Sequence, residues 1–228
     1  MTELSLKESV ARLMVCLPLD DLYTLDEVRA LVEELSPYVG LFKVGKESLA
    51  RFGPDIVALV HELGAGVFLD AKYHDIPNTV RGAAKAATEM GVTVFNVHAS
   101  GGMAMMVAAR EGVEQAVADG HPAPKVIAVT VLTSIDQEIL NTECGVPGKL
   151  EDHVLHLAEL TESAGLDGIV CSAADLHALS GKLAPEFLFV TPGIKGTTTP
   201  AGADQKRVLT PGRAVSAGSS RPGVRTRF

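Results

Sequence analysis

The chain lacks paired cysteines, an apolar run of membrane length and any surplus of positive charge, and each lack excludes a class of function. Its three cysteines, Cys16, Cys144 and Cys171, are scattered and odd in number. That predicts reduced thiols in a cytoplasmic protein, with neither a disulfide framework nor a structural zinc site. No apolar run approaches the roughly 20 residues of a membrane helix, and the polar N-terminal segment predicts no secretory leader. The net charge of −8 and a pI near 5.4 argue against a nucleic-acid or acidic-membrane surface. There is no G-x-G-x-x-G after the first apolar strand, so a dinucleotide fold loses support. No repeat, low-complexity run or linker divides the 228 residues, which predicts one domain over 1–228. His153 and His156 lie three apart without a third ligand motif, which fits a solvated helix face better than a metal site.

What is present is a regular alternation of short apolar strands and helices. Strands are predicted at Leu13–Leu17, Leu41–Gly45, Val67–Leu69, Val92–His98, Lys125–Leu132, Gly168–Cys171 and Phe187–Val190. Helices are predicted at Leu25–Leu35, from Pro54 to Leu63, Pro77–Met90, Met103–Glu111 and Glu151–Ala164. Thr24 suits the first helix as its cap, with Asp26 and Glu27 in the favourable first turn. Pro54 and Pro77 each suit a helix start. Met103, Met105 and Met106 read as core filling. Strand and helix alternating at this pitch imply a parallel sheet with right-handed crossovers. Most strands end in glycine or polar residues, which favours a (β/α)8 TIM barrel over an open sheet. The length is slightly under the roughly 250 residues typical of that fold.

The stretch Phe68-Leu-Asp-Ala-Lys-Tyr-His-Asp-Ile-Pro-Asn-Thr-Val80 is an apolar strand that ends abruptly in charge. Asp70 and Lys72 are two apart, so they share a side if the extended conformation persists. Strand, charged corner and helix is where α/β proteins usually place chemistry. Asp-x-Lys-x-x-Asp alone would arise by chance in about one chain in twenty to thirty, and a surface ion pair would explain it. Its neighbours therefore decide.

Asp70-x-Lys72-x-x-Asp75-Ile-Pro-Asn-Thr79 resembles the catalytic signature of orotidine 5′-phosphate decarboxylase. Phe42-Lys-Val-Gly45, Val97-His-Ala-Ser-Gly-Gly102, Leu132-Thr-Ser134, Thr191-Pro-Gly-Ile194 and Asp204-Gln205 extend the resemblance, in the right order, over roughly residues 12 to 218. It implies a homodimer of barrels with shared active sites, acting without metal or cofactor in pyrimidine nucleotide biosynthesis. Lys72 would deliver a proton to C6 of the pyrimidine as carbon dioxide leaves, and Asp70 would sit beside the departing carboxylate. Asp75 would reach into the partner's site, with Ile76 and Thr79 nearby. Asp20 and Lys43 would hold ribose hydroxyls; the adjacent Asp21 leaves that alignment open by one place. Ser134 with Thr133 would read the pyrimidine, and Pro192, Lys195 and Gln205 would contact the substrate toward its phosphate. The chemistry suits these residue types: a carbanion-like centre formed without an electron sink needs a cation held close. Acidic neighbours favour the charged form of such a cation, at roughly 4 kcal/mol for a pair about 4 Å apart at an effective dielectric near 20. Lys43 inside an apolar strand points the same way, since an unpaired buried ammonium is costly. No role is assigned to His74, and His98 is open between a structural residue and a ligand contact.

The phosphate end departs from the family pattern. Lys195 stands where an arginine is usual and lacks its bidentate fork. The expected last strand ending in Gly-Arg is missing; Ser219–Phe228 is instead an atypical basic tail with little strand character. A one-nucleotide frame shift near Gly218 would explain this, since codons compatible with Ser219–Arg227 read one place on as AADLVFGR. The eighth strand and helix are thus expected to be lost or altered, leaving the edges of the first and seventh strands exposed, with low solubility and weak phosphate binding. Two other readings compete. One is a magnesium-dependent sugar-phosphate decarboxylase or synthase sharing the Asp-x-Lys-x-x-Asp core, which the Ile76-Pro-Asn-Thr79 continuation disfavours. The other is an inactive truncated product.

Overall fold

Short strands buried on both faces, with amphipathic helices between them, set the architecture. The computed structural model describes residues 16–194 and 221–224. Its strands are β1 (Cys16–Pro18), β2 (Leu41–Gly45), β3 (Gly66–Tyr73), β4 (Val94–His98), β5 (Lys125–Val129), β6 (Gly168–Val170), β7 (Leu188–Ile194) and β8 (Arg221–Val224). They form one sheet in sequence order, every neighbouring pair parallel. The sheet curls far enough that β8 lies beside β1, consistent with a barrel.

The helices are α1 (Leu25–Leu35), α2 (Lys46–Phe52), α3 (Asp55–Glu62), α4 (Pro77–Glu89), α5 (Met103–Ala118), α6 (Gln137–Thr142), α7 (Leu150–Ser163) and α8 (Leu176–Leu179). Thr24 caps α1 in a capping box with Glu27, satisfying otherwise orphaned N–H groups at the helix start. Pro77 opens α4, and Gly102, at φ 84°, turns the chain into α5, a conformation glycine adopts at no steric cost. Met105 and Met106 are core, whereas Met103 is exposed.

Two apolar layers follow from the strand alternation. Phe42, Val44, Val67, Leu69, Phe95 and Val97 pack outward against helix residues such as Val28, Val32 and Ile56. Leu41, Phe68, Val94, Ile127 and Val190 form a second, smaller cluster on the other face. On that inner face the next residues along β2, β3 and β4 are Lys43, Asp70 and Asn96, because side chains two apart share a side. The sheet thus carries a polar layer directly above an apolar one.

Of the two outcomes expected for the eighth strand, lost or altered, loss is not confirmed. Residues Arg221–Val224 of the atypical tail hydrogen-bond parallel to β7, with Val190 opposite Arg221 and Thr191 opposite Pro222. Tertiary pairing overrides weak local propensity here: an open β7 edge presents unpaired N–H and C=O groups that any extended segment can meet. The edges of the first and seventh strands are therefore not both left bare. Strands β3 and β7 also run further than predicted, through the charged corner and through Thr191-Pro-Gly-Ile194. Three short helices, α2, α6 and α8, lie outside the predicted set.

Candidate active site

Four charged side chains, three from β2 and β3 and one from the loop after β1, form one connected array toward the C-terminal ends of these strands. Asp20 follows β1, and its carboxylate accepts from the Lys43 ammonium at 2.6 Å and from the Ser48 hydroxyl at 3.1 Å. Lys43 also faces Asp70 at 3.3 Å, and Asp70 accepts from the Lys72 ammonium at 2.6 Å. Carboxylate and ammonium alternate along the line Asp20, Lys43, Asp70, Lys72. Asp21 is exposed, so it is Asp20 that meets Lys43. Gly45 makes the room: a Cβ there would run into the Asp20 carboxylate.

The Asp70–Lys72 contact does not arise as period-two geometry predicts. Leu69 stands opposite Phe95 and Tyr73 opposite Val97, so Asp70, Ala71 and Lys72 together face Asn96 alone. Lys72 adopts φ 52°, the left-handed region, at a cost of order 1–3 kcal/mol for a residue other than glycine. The extended conformation breaks at this bulge, and the break brings the ammonium onto the neighbouring carboxylate. Asn96, wholly buried, accepts from the Lys72 backbone N–H at 2.7 Å and donates to Asp70 at 2.7 Å.

Electrostatics keep Asp70 ionised. Burial pushes the Asp70 carboxyl up, but the Lys43 and Lys72 ammoniums and the donors from Lys72 and Asn96 outweigh it, so Asp70 lies below the ordinary carboxylate range. His98, at the end of β4, is held down at about 4, first by burial and then by His74, Lys46 and Lys72, with Asp70 opposing. The His74 and His98 rings lie 5.3 Å apart. His98 is thus a neutral ring bordering the charges.

The other predicted residues lie further out. Asp75, Ile76 and Thr79 are exposed on the rim where β3 passes into α4, and the Asp75 carboxylate accepts the N–H of Ile76 at 2.6 Å. Among the described residues Asp70 is the acidic partner of Lys72, and Asp75 is not brought to it within this chain. Thr133 and Ser134 lie in the β5–α6 connection, half-buried and exposed respectively, and Pro192 is half-buried in β7. Lys195 and Gln205 fall outside the described residues. Sequence reasoning missed Ser48 and Asn96. An amide inside the apolar run Val94-Phe-Asn-Val97 was the available signal, because a buried amide needs partners. Among the described residues no three His, Cys, Asp or Glu side chains gather as a metal-binding group.

A curled parallel sheet with alternating charges on its inner face, at the C-terminal ends of its strands, defines an enzyme of the α/β barrel class. A family model described as "Orotidine 5'-phosphate decarboxylase / HUMPS family" matches residues 13–222. The chain belongs to that family. An orotidine 5′-phosphate decarboxylase of Moorella thermoacetica is 50% identical over 194 residues, 83% of this chain and 75% of the relative. One of Syntrophus aciditrophicus is 46% identical over 217 residues, 95% and 85% of the two chains. The crystal structure of orotidine 5′-phosphate decarboxylase from Lactobacillus acidophilus superposes with a TM-score of 0.79 at 35% identity, covering 92% of this chain and 89% of that one.

Proposed function

We propose that the protein converts orotidine 5′-phosphate to uridine 5′-phosphate in pyrimidine nucleotide biosynthesis, in the cytoplasm, on a closed (β/α)8 barrel and with neither metal nor cofactor. The observation that carries this reading is the Lys72 ammonium, fixed 2.6 Å from Asp70 on the inner face of the sheet. The bond from C6 to the carboxylate breaks, carbon dioxide leaves and the electron pair stays on C6. An N–H of the Lys72 ammonium protonates that carbon, and solvent returns a proton to the amine. Asp70 lies beside the departing carboxylate and, with Lys43, fixes the ammonium before substrate arrives, so little reorganisation accompanies reaction. Asp20 and Lys43 hold the ribose; Thr133 and Ser134 read the base; Pro192, Lys195 and Gln205 face the phosphate end.

The active unit is a homodimer in which Asp75, with Ile76 and Thr79, completes the partner's site. Their exposure in the single chain, 66% for Ile76, suits residues that a second copy covers. The relatives' names and the Ile76-Pro-Asn-Thr79 continuation favour this reading over a sugar-phosphate enzyme. The intact Asp70–Lys72 geometry favours it over an inactive product.

The test is decarboxylation of orotidine 5′-phosphate in the presence of a chelator, comparing the wild type with Lys72→Ala. Wild-type activity should persist, and the substitution should lower kcat by at least about 10³-fold. Equal rates refute the mechanism. No turnover of orotidine 5′-phosphate, with turnover of a sugar phosphate that a chelator abolishes and magnesium restores, points to the sugar-phosphate reading.

A further inference from the structure

We infer that Asn96 is a positioning residue that clamps Asp70 and the backbone of Lys72 into one catalytic unit, an assignment that rests on the function proposed above. The register makes Asn96 the single β4 residue opposite three of β3. A parallel ladder cannot pair three residues with one, so the regular β3–β4 register lapses at the very segment that carries the two charged groups. The amide of Asn96 bonds to that segment on both sides. Its oxygen accepts the Lys72 N–H at 2.7 Å, at the residue whose φ of 52° departs from the strand. Its nitrogen donates to the Asp70 oxygen that also receives the Lys72 ammonium.

An amide supplies a donor and an acceptor on one planar group without titrating, and its orientation is dictated by the partners. The Lys72 N–H can only donate, and an ionised Asp70 can only accept. The other Asp70 oxygen faces Lys43. Asn96 therefore sets the rotation of the carboxylate, and through it which oxygen each ammonium meets. Being wholly buried, Asn96 reaches the chemistry through these two neighbours. Misplacement of reacting groups by as little as 1 Å can cost about a hundredfold in rate.

The test uses the full-length protein with Asn96→Ala, which removes both bonds, and Asn96→Asp, which keeps the size and the acceptor but replaces the donor with a second carboxylate. Both variants should lower kcat roughly ten- to a hundredfold while KM stays within about threefold. The acidic limb of the kcat profile should move to higher pH, because Asp70 has lost a donor that favours its ionised form. A merely structural residue would lower the melting temperature and leave that limb in place. Unchanged limbs in the folded variants overturn the assignment, as does failure of both variants to fold, which would make Asn96 a stability residue. Titration of the Asp70 carboxyl by carbon NMR separates this proposal from the one it rests on. Should the wild type not decarboxylate orotidine 5′-phosphate, an upward-shifted Asp70 titration in Asn96→Ala still supports the clamp, and an unshifted one overturns it.

Discussion

Asp70 and Asp167 are close counterparts in local chemistry at opposite ends of the strands. Asp70 has Lys72 at 2.6 Å and Lys43 at 3.3 Å; Asp167 has Arg110 at 2.7 Å and Lys125 at 2.8 Å. Their side chains are 15% and 18% exposed. At Asp167 burial raises the carboxyl, but Lys125, the Val126 N–H and Arg110 prevail and leave it low, as at Asp70. The differences are place and geometry. Asp167 precedes β6, accepts the Val126 N–H at 2.9 Å and stitches the starts of β5 and β6 together while the ladder stays regular. Asp70 lies at the far end, where the ladder breaks and the cations around it face the concave side. Ion pairing alone does not mark an active site; pairing at a disrupted strand end does.

The largest predicted effect tests that distinction by exchanging the two carboxylates for amides in separate variants. Asp70→Asn should lower kcat by roughly 10²–10³-fold, measured as orotidine 5′-phosphate decarboxylation. Asp167→Asn should leave kcat within about twofold and instead lower the unfolding free energy by about 1–3 kcal/mol, read by urea denaturation. If Asp167→Asn slows turnover as far as Asp70→Asn, the two ends are not functionally distinct.

An intermediate effect is expected at Gly45, which lies opposite Asp70 in the β2–β3 register. Its φ of −89° is open to any residue, so Gly45→Ala introduces no backbone strain. The added methyl would displace the Asp20 carboxylate from Lys43 and Ser48. Asp20 is assigned to ribose binding, so KM should rise about tenfold while kcat changes less. An unchanged KM in a variant whose crystal structure shows Asp20 displaced removes Asp20 from substrate binding.

How much of this was legible beforehand depended on whether local or long-range forces decide. The bounds of β2 and α1, the start of α4 and the alternating parallel order follow from apolar runs, a Thr cap and a helix-opening proline, all written within a few residues. The Asp20, Lys43, Asp70 and Lys72 set was legible through resemblance, and Asp20 rather than Asp21 emerged only from its contact with Lys43. The bulge was not legible, because period-two reasoning assumes that the strand continues and nothing in Asp70-Ala-Lys72 announces three residues against one. Asn96 and Ser48 acquire their partners from strands and loops distant in sequence. The tail at Arg221–Val224, with proline and glycine at its centre, reads as coil until the β7 edge is there to receive it.

The smallest expected effect concerns pH, and it separates the array's border from its centre. His98 is held at about 4 in the folded protein against an ordinary value of 6.5. Between those values the unfolded chain binds a proton that the folded one does not, so stability falls as pH drops from 6.5 toward 4 and levels off below. Asp70, lowered from 3.8, acts in the next window. Its contribution is present above 3.8 and is lost as pH falls through its still lower folded value. Burial also holds His61 and His153 low, so the share belonging to His98 is the difference between wild type and His98→Gln. That difference, from urea unfolding at steps between pH 7 and 4, should show the variant losing less stability on acidification. Identical slopes would mean that His98 titrates alike folded and unfolded, and that the Lys46, Lys72 and His74 side of the array does not exclude a further positive charge.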